Sequence, residues 1–167
     1  MSETILVPRK LKKKILSILR DEFGIEQFEF EIFKSGKRRL WICTKDLAKL
    51  DLRGLRLHSI GFYFGELDDN LIRLSFDATQ VFAKKIKKNI IEINDEQAKA
   101  WFEGYDIKIP EDIAERYNER YVVLKYKDDF IGCGKVKNGK VWNYVPKDRR
   151  QEKDIDEYYD VITAEYE

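Results

Sequence analysis

The dipeptide Asn138-Gly139 stands between two short runs rich in β-branched and aromatic residues, and it constrains this chain more than any other pair in it. A two-residue hairpin loop needs positive φ at its central residues, which asparagine and glycine adopt at little steric cost. The flanking runs FIGCGKV (130–136) and KVWNYV (140–145) are therefore predicted to be antiparallel strands. A third run, YVVLKY (121–126), precedes them across a second turn at Asp128-Asp129. The same loop disposes of a near-motif. Gly134, Gly139 and Lys140 match the first three fixed positions of G-x-x-x-x-G-K-[ST], but Val141 replaces the hydroxyl and leads into a strand. A phosphate loop must lead into a helix N-terminus, so this one reads as a hairpin tip. Gly132 and Gly134 do not start a G-x-G-x-x-G motif either, since Lys135, Val136 and Lys137 follow.

Elsewhere the chain alternates helices and strands. Leu11, Ile15, Ile18, Leu19 and Phe23 recur at three- and four-residue steps and predict a helix over 9–22, with Pro8 at its start and Gly24 at its stop. Phe28, Phe30 and Ile32 alternate with polar residues as a half-buried strand, Ser35-Gly36 turns, and RRLWIC (38–43) returns. Thr44 is read as the N-cap of a short helix through Leu50. Gly54 opens a β-rich stretch in which Leu55 to Leu67 and Leu71 to Phe76 flank the turn Asp68-Asp69-Asn70. Asp77 is read as the cap of a helix from Ala78 to about Ile86. A second unit starts near Asn89: strand IIEI (90–93), a helix capped by Asn94 or Asp95 and ending before Gly104, and a short helix from Pro110 to about Arg120. The segment from Tyr158 to Glu165 is one more strand or a loosely held tail.

Charge enters because its total misleads. The formal net charge is +1 from 32 basic and 31 acidic residues. Residues 1–20 nevertheless carry +5, the KKIKK run at 84–88 carries +4, residues 134–150 carry +5, and the last 17 residues carry −6. Such asymmetry guides polyanion binding better than the sum does. No apolar run approaches the roughly 18 residues of a membrane span, and residues 1–20 lack the apolar stretch of a signal peptide. Cys43 and Cys133 lie far apart and read as thiols of an intracellular protein.

Enzyme chemistry finds little support. His58 is the only histidine, with no cysteine or second histidine near it, and reads as a surface or core-edge residue. Neither cysteine has metal spacing, so no metal and no cofactor is expected. Cys133, between two glycines, fits close packing in a strand.

Binding chemistry is better represented. Between Tyr121 and Arg150, Lys125, Lys135, Lys137 and Lys140 interleave with Trp142 and Tyr144, and Lys147, Arg149 and Arg150 follow. Cations neutralise phosphates and aromatic faces stack unpaired bases, a mixture that leans toward RNA. The two-residue spacing of Trp142 and Tyr144 fits two core residues beneath a hairpin equally well, and the sequence leaves that choice open.

Three stretches carry a resemblance: LIRLSFDATQ (71–80), KNIIEINDEQAKAWFEGYDI (88–107) and YVVLKYKDDFIGCGKVKNGKVWNYVPKDRR (121–150). With them, the run from Asn89 to Arg150 resembles a PUA domain, specifically the RNA-binding module at the C-terminus of Sun/Fmu-type RNA cytosine-5 methyltransferases. The layout of the N-terminal part is similar to the pre-PUA domain of some ribosome-biogenesis factors. The resemblance implies an α+β protein: a pre-PUA-like unit over 1–88, and over 89–167 a PUA-like β pseudo-barrel with an acidic tail. It implies binding of structured ribosomal or transfer RNA in RNA modification or ribosome biogenesis, without catalysis, in the cytoplasm. The methyltransferases use cysteines in Pro-Cys and Thr-Cys contexts, whereas here Cys43 follows Ile42 and Cys133 follows Gly132. Carried over to this chain, the RNA surface comprises Gly104, Tyr105 and the span Lys135 to Arg150, with Lys13 and Lys14 of the basic helix extending it. Two other readings compete: an adaptor docking a separate RNA methyltransferase or ribosome assembly factor, and an ASCH-type hydrolase.

Overall fold

A computed structural model describes residues 4–45 and 61–146. The apolar stripe of the first helix is real. In α1 (Arg9–Phe23), Ile15, Ile18, Leu19 and Phe23 are buried, while Lys10, Lys13 and Lys14 face outward. Burying each such apolar side chain is worth about 2 kcal/mol, which holds the helix where its mostly basic first turns would not. Gly24 ends it at φ 70°, a left-handed position, with its N–H on the Arg20 carbonyl. A Cβ there would also lie 2.8 Å from that of Lys87, whose N–H bonds the Phe23 carbonyl at 2.7 Å.

Helix α1 lies against a five-stranded antiparallel sheet in sequence order: β1 (Thr4–Leu6), β2 (Phe30–Ser35), β3 (Arg39–Thr44), β4 (Phe62–Asp68) and β5 (Leu71–Leu74). Strand β1 is an addition to the expected order. Its three residues are too few to show an alternation, and two of them are exposed. The turn between β4 and β5 is Asp69-Asn70; Asp68, expected in the turn, still pairs with Leu71. Thr44 closes β3. The short helix it was expected to cap, Gly54, the start of the long β stretch and His58 lie outside the described residues, as does the segment 158–165.

Helix α2 (Phe76–Val81) is capped by Ser75 rather than Asp77. The Ser75 hydroxyl accepts the Ala78 N–H at 3.0 Å and donates to the Tyr63 carbonyl at 2.8 Å. Asp77 instead sits in the first turn, where a carboxylate complements the helix dipole. The helix also stops short of Ile86, because Phe82 turns into an aromatic cluster with Phe28, Phe30 and Phe64.

The second sheet curls as a half-barrel of β6 (Ile90–Glu92), β8 (Tyr121–Tyr126), β9 (Asp129–Lys137), β10 (Lys140–Val141) and β7 (Ile107–Lys108), in that order. Strand β6 runs parallel to β8; the other pairs are antiparallel. The turn before β9 is Lys127-Asp128, one residue earlier than expected, so Asp129 already pairs with Tyr126. Helix α3 (Asp95–Phe102) starts at Asn94 in a capping box with Gln97, and α4 (Glu111–Arg116) follows Pro110.

The run YVVL in β8 is buried throughout because both faces of the strand are covered. Tyr121 and Val123 join the core of α1 and the first sheet, and Val122 and Leu124 join the core around Trp101. Packing is thus continuous from the first sheet into the second. Charged contacts reinforce it: Arg120 pairs with Glu22, and Asp68 accepts from the Tyr121 hydroxyl at 2.8 Å and from Lys135 at 3.2 Å. These pieces form one α+β structure of the pre-PUA plus PUA-like type.

Candidate nucleic-acid interface

The β9–β10 hairpin turns at Asn138 (φ 54°) and Gly139 (φ 76°), both left-handed. Lys137 and Lys140 flank that turn as a directly paired couple. Strand β10 also pairs with β7, which sets Lys140 opposite Lys108 and Val141 opposite Ile107. Paired residues share a sheet face and adjacent residues take opposite faces. The inner row Ile107, Val141 and Val136 is buried, so the row Lys108, Lys140 and Lys137 points outward. Among the described residues, no carboxylate forms an ion pair with any of these three lysines. Like charges directly opposite one another destabilise a sheet. The row therefore carries a small standing cost that an anion lying across it would relieve.

Beyond Val141 the chain leaves the ladder, and Asn143 fixes its path. The Asn143 amide nitrogen donates to the Trp101 carbonyl at 2.7 Å and the Tyr105 carbonyl at 2.9 Å, and its oxygen accepts the Val145 N–H at 2.8 Å. Its backbone N–H bonds Asp106 at 2.7 Å. With Asn143 and Val145 turned inward, Trp142 and Tyr144 turn outward, 37% and 36% exposed. That settles the choice left open by their spacing: they are not core residues. Each is backed by a cation. The Lys137 ammonium lies 5.4 Å from the Trp142 ring, and the Arg73 guanidinium 4.5 Å from the Tyr144 ring. The Trp142 indole also donates to the Lys137 carbonyl at 3.2 Å. Gly134 permits this close passage, because a Cβ there would lie 2.2 Å from the Trp142 carbonyl oxygen.

The other sequence-selected residues fall into different environments. Lys135 is half-buried, held by Asp68 at 3.2 Å and Glu119 at 3.7 Å and lying over the Tyr121 ring. It stitches the two sheets together. The Tyr121 hydroxyl, and after it Lys135, hold the Asp68 carboxyl below its usual value against the opposing effect of partial burial. Burial, and then Asp68, push the Tyr121 phenol up. Lys125 is half-buried with Glu92 at 3.9 Å. Gly104 sits at φ 99° after α3, and Tyr105 supplies a carbonyl to Asn143, so this pair supports the aromatic segment from behind. Lys13 and Lys14 are exposed on α1, where Lys14 lines a separate groove with Asn70 and Arg120. Lys147, Arg149 and Arg150 lie outside the described residues.

Two participants, Lys108 and Arg73, lie outside the residues selected from sequence, and Asn143 was included only within the span Lys135 to Arg150. Lys108 alternates with the buried Ile107 and Ile109, a signal that placed it outward but not beside Lys140. Asn143 carried no local signal, and Arg73 lies 71 positions from the ring it covers. Burial pushes the Cys133 thiol up to about 12, far from a reactive thiolate. Among the described residues no group of histidine, cysteine and carboxylate side chains could hold a metal, and no helix is long and apolar enough to cross a membrane.

The match to a known family falls on this region. Residues 88–151 match the family described as the methyltransferase RsmF PUA domain. Over 125 residues, covering 70% of this chain, it is 29% identical to the ribosomal RNA small subunit methyltransferase F of Vibrio campbellii. Over 144 residues, covering 84% of the chain, it is 23% identical to the enzyme of the same name from Psychromonas ingrahamii. The chain spans only 26% and 29% of the length of these relatives. Over residues 88–151 the chain is therefore similar to the PUA domain of these ribosomal RNA methyltransferases.

Proposed function

We propose that this protein binds structured RNA through the outer face of the β9–β10 hairpin, and that ribosomal RNA is its target. The observation that carries the reading is the row Lys108, Lys140 and Lys137, lacking carboxylate partners among the described residues and continuing into the exposed Trp142. The row supplies charge for phosphates and the indole a flat face for a base. The relatives named as small-subunit ribosomal RNA methyltransferases favour ribosomal over transfer RNA.

On this reading the described part of the chain grips RNA and performs no chemistry. Its described cysteines are buried, and burial, followed for Cys43 by the Glu31 charge, raises both thiols. The role belongs to RNA modification or ribosome biogenesis in the cytoplasm. The test is a salt titration of binding to a small-subunit ribosomal RNA fragment. Replacing Lys137 and Lys140 together by alanine removes two phosphate contacts and is expected to flatten the log–log salt slope by about 1.5 to 2. An unchanged affinity and slope in a folded variant would remove the hairpin from the RNA surface. If the protein binds no RNA yet captures a methyltransferase or assembly factor, the adaptor reading replaces this one.

A further inference from the structure

We infer that the site takes unpaired RNA, with Trp142 and Tyr144 each stacking one base and Lys108 completing a backbone track that ends at them. The inference rests on the RNA-binding reading and adds the state of the RNA and a second stacking face at Tyr144.

The track has a direction. Lys108, Lys140 and Lys137 occupy neighbouring strands, with about 4.8 Å between each and the next, so the row spans roughly 10 Å. An open cleft lined by Lys108, Lys140 and the hairpin tip also holds Glu111 and Glu115 of α4, which repel a phosphate chain, and Lys137 stands outside it. At the other end Lys137 lies against Trp142. An RNA backbone laid on the row is therefore steered from Lys108 toward the aromatic segment.

The aromatic spacing selects the RNA state. Trp142 and Tyr144 are two residues apart, with the inward Asn143 between them. The two rings make no contact with one another, so they offer two separate stacking faces rather than one. Two successive bases can lie on these two rings only if they have come apart from each other. Duplex bases show their edges rather than their faces to a protein. The rings are also held in advance. Lys137 backs one, Arg73 backs the other, and both stay more than a third exposed.

The experiment measures fluorescence anisotropy of labelled short oligoadenylate, the same strand annealed to its complement, and a structured ribosomal RNA fragment. Single-strand binding is expected to exceed duplex binding. Trp142→Ala should weaken oligoadenylate binding by about 5-fold to 100-fold, Trp142→Phe should restore most of it, and duplex binding should not change. Lys108→Ala should weaken binding and flatten the single-strand salt slope by about 0.7. Thermal melts confirm that each variant is folded. Duplex binding equal to or tighter than single-strand binding overturns the inference, as does full oligoadenylate affinity in a folded Trp142→Ala protein. If the structured fragment binds through Lys137 and Lys140 while oligoadenylate does not bind, only this inference fails. If neither RNA binds, the broader reading fails with it.

Discussion

Replacing Asn143 by aspartate changes one atom type and should disable the segment that presents both aromatic rings. The orientation of the wild-type amide is set by its partners. The Val145 N–H needs an acceptor, so the oxygen faces it and the NH₂ faces the carbonyls of Trp101 and Tyr105. In Asn143→Asp a carboxylate oxygen would face two carbonyl oxygens at the 2.7 and 2.9 Å now spanned by hydrogen bonds. Each partly buried acceptor left unmet costs about 1–3 kcal/mol, so a loss of about 2–4 kcal/mol is expected at neutral pH. In a domain of this size that lowers Tm by roughly 5–15 °C. The introduced carboxyl also makes the loss pH-dependent. Protonated, it retains one donor for one carbonyl, so its folded pKa is raised above the unfolded value of about 3.9. The interaction is then fully present below about pH 4 and is lost as pH rises through the raised folded value. Urea unfolding followed by tryptophan fluorescence, on both proteins from pH 4 to 8, should show a gap that widens with pH. Coincident midpoints at neutral pH, or a gap that does not vary with pH, would refute the hydrogen-bond arrangement.

Other residues yield further expectations. Gly132→Ala should cost about 2–4 kcal/mol in chemical denaturation, since Gly132 sits at φ 136° and a Cβ there would meet the buried Trp101 indole nitrogen at 2.9 Å. Lys135→Met should leave the salt slope of RNA binding unchanged while lowering stability, because Lys135 is committed to Asp68 and Glu119; a flattened slope would place it on the RNA instead. Asp68, whose folded pKa is lowered, stabilises the fold above its unfolded pKa near 4 and loses that contribution as pH falls through the folded value. Asp68→Asn should therefore narrow its stability difference from wild type in urea melts taken from pH 5 down to 2.

The sequence was most legible where a local pattern carried the whole signal. The stripe in α1 with Gly24 behind it, and the Asn138-Gly139 hairpin, needed no tertiary information. Strands β1 and β7 were illegible, because three and two residues exist as strands only through the partners that order them. The candidate site divides along the same line. That Lys137 and Lys140 flank the turn followed from the hairpin, but Lys108 joins them only through the β10–β7 pairing. Lys135 looked like its neighbours in sequence, yet it falls opposite Tyr121 across the β8–β9 ladder and finds Asp68 of the first sheet. Whether Trp142 and Tyr144 faced inward turned on Asn143, whose partners lie on α3 and the segment after it.

On this account the β9–β10 face and the segment beyond it touch RNA. Ultraviolet crosslinking of the protein to bound RNA, with mass-spectrometric mapping of the adducts, tests it most directly. Nucleotide adducts are predicted on Trp142 and Tyr144, within residues 137–146. Adducts confined to α1 or the first sheet, with none in that span, would contradict it.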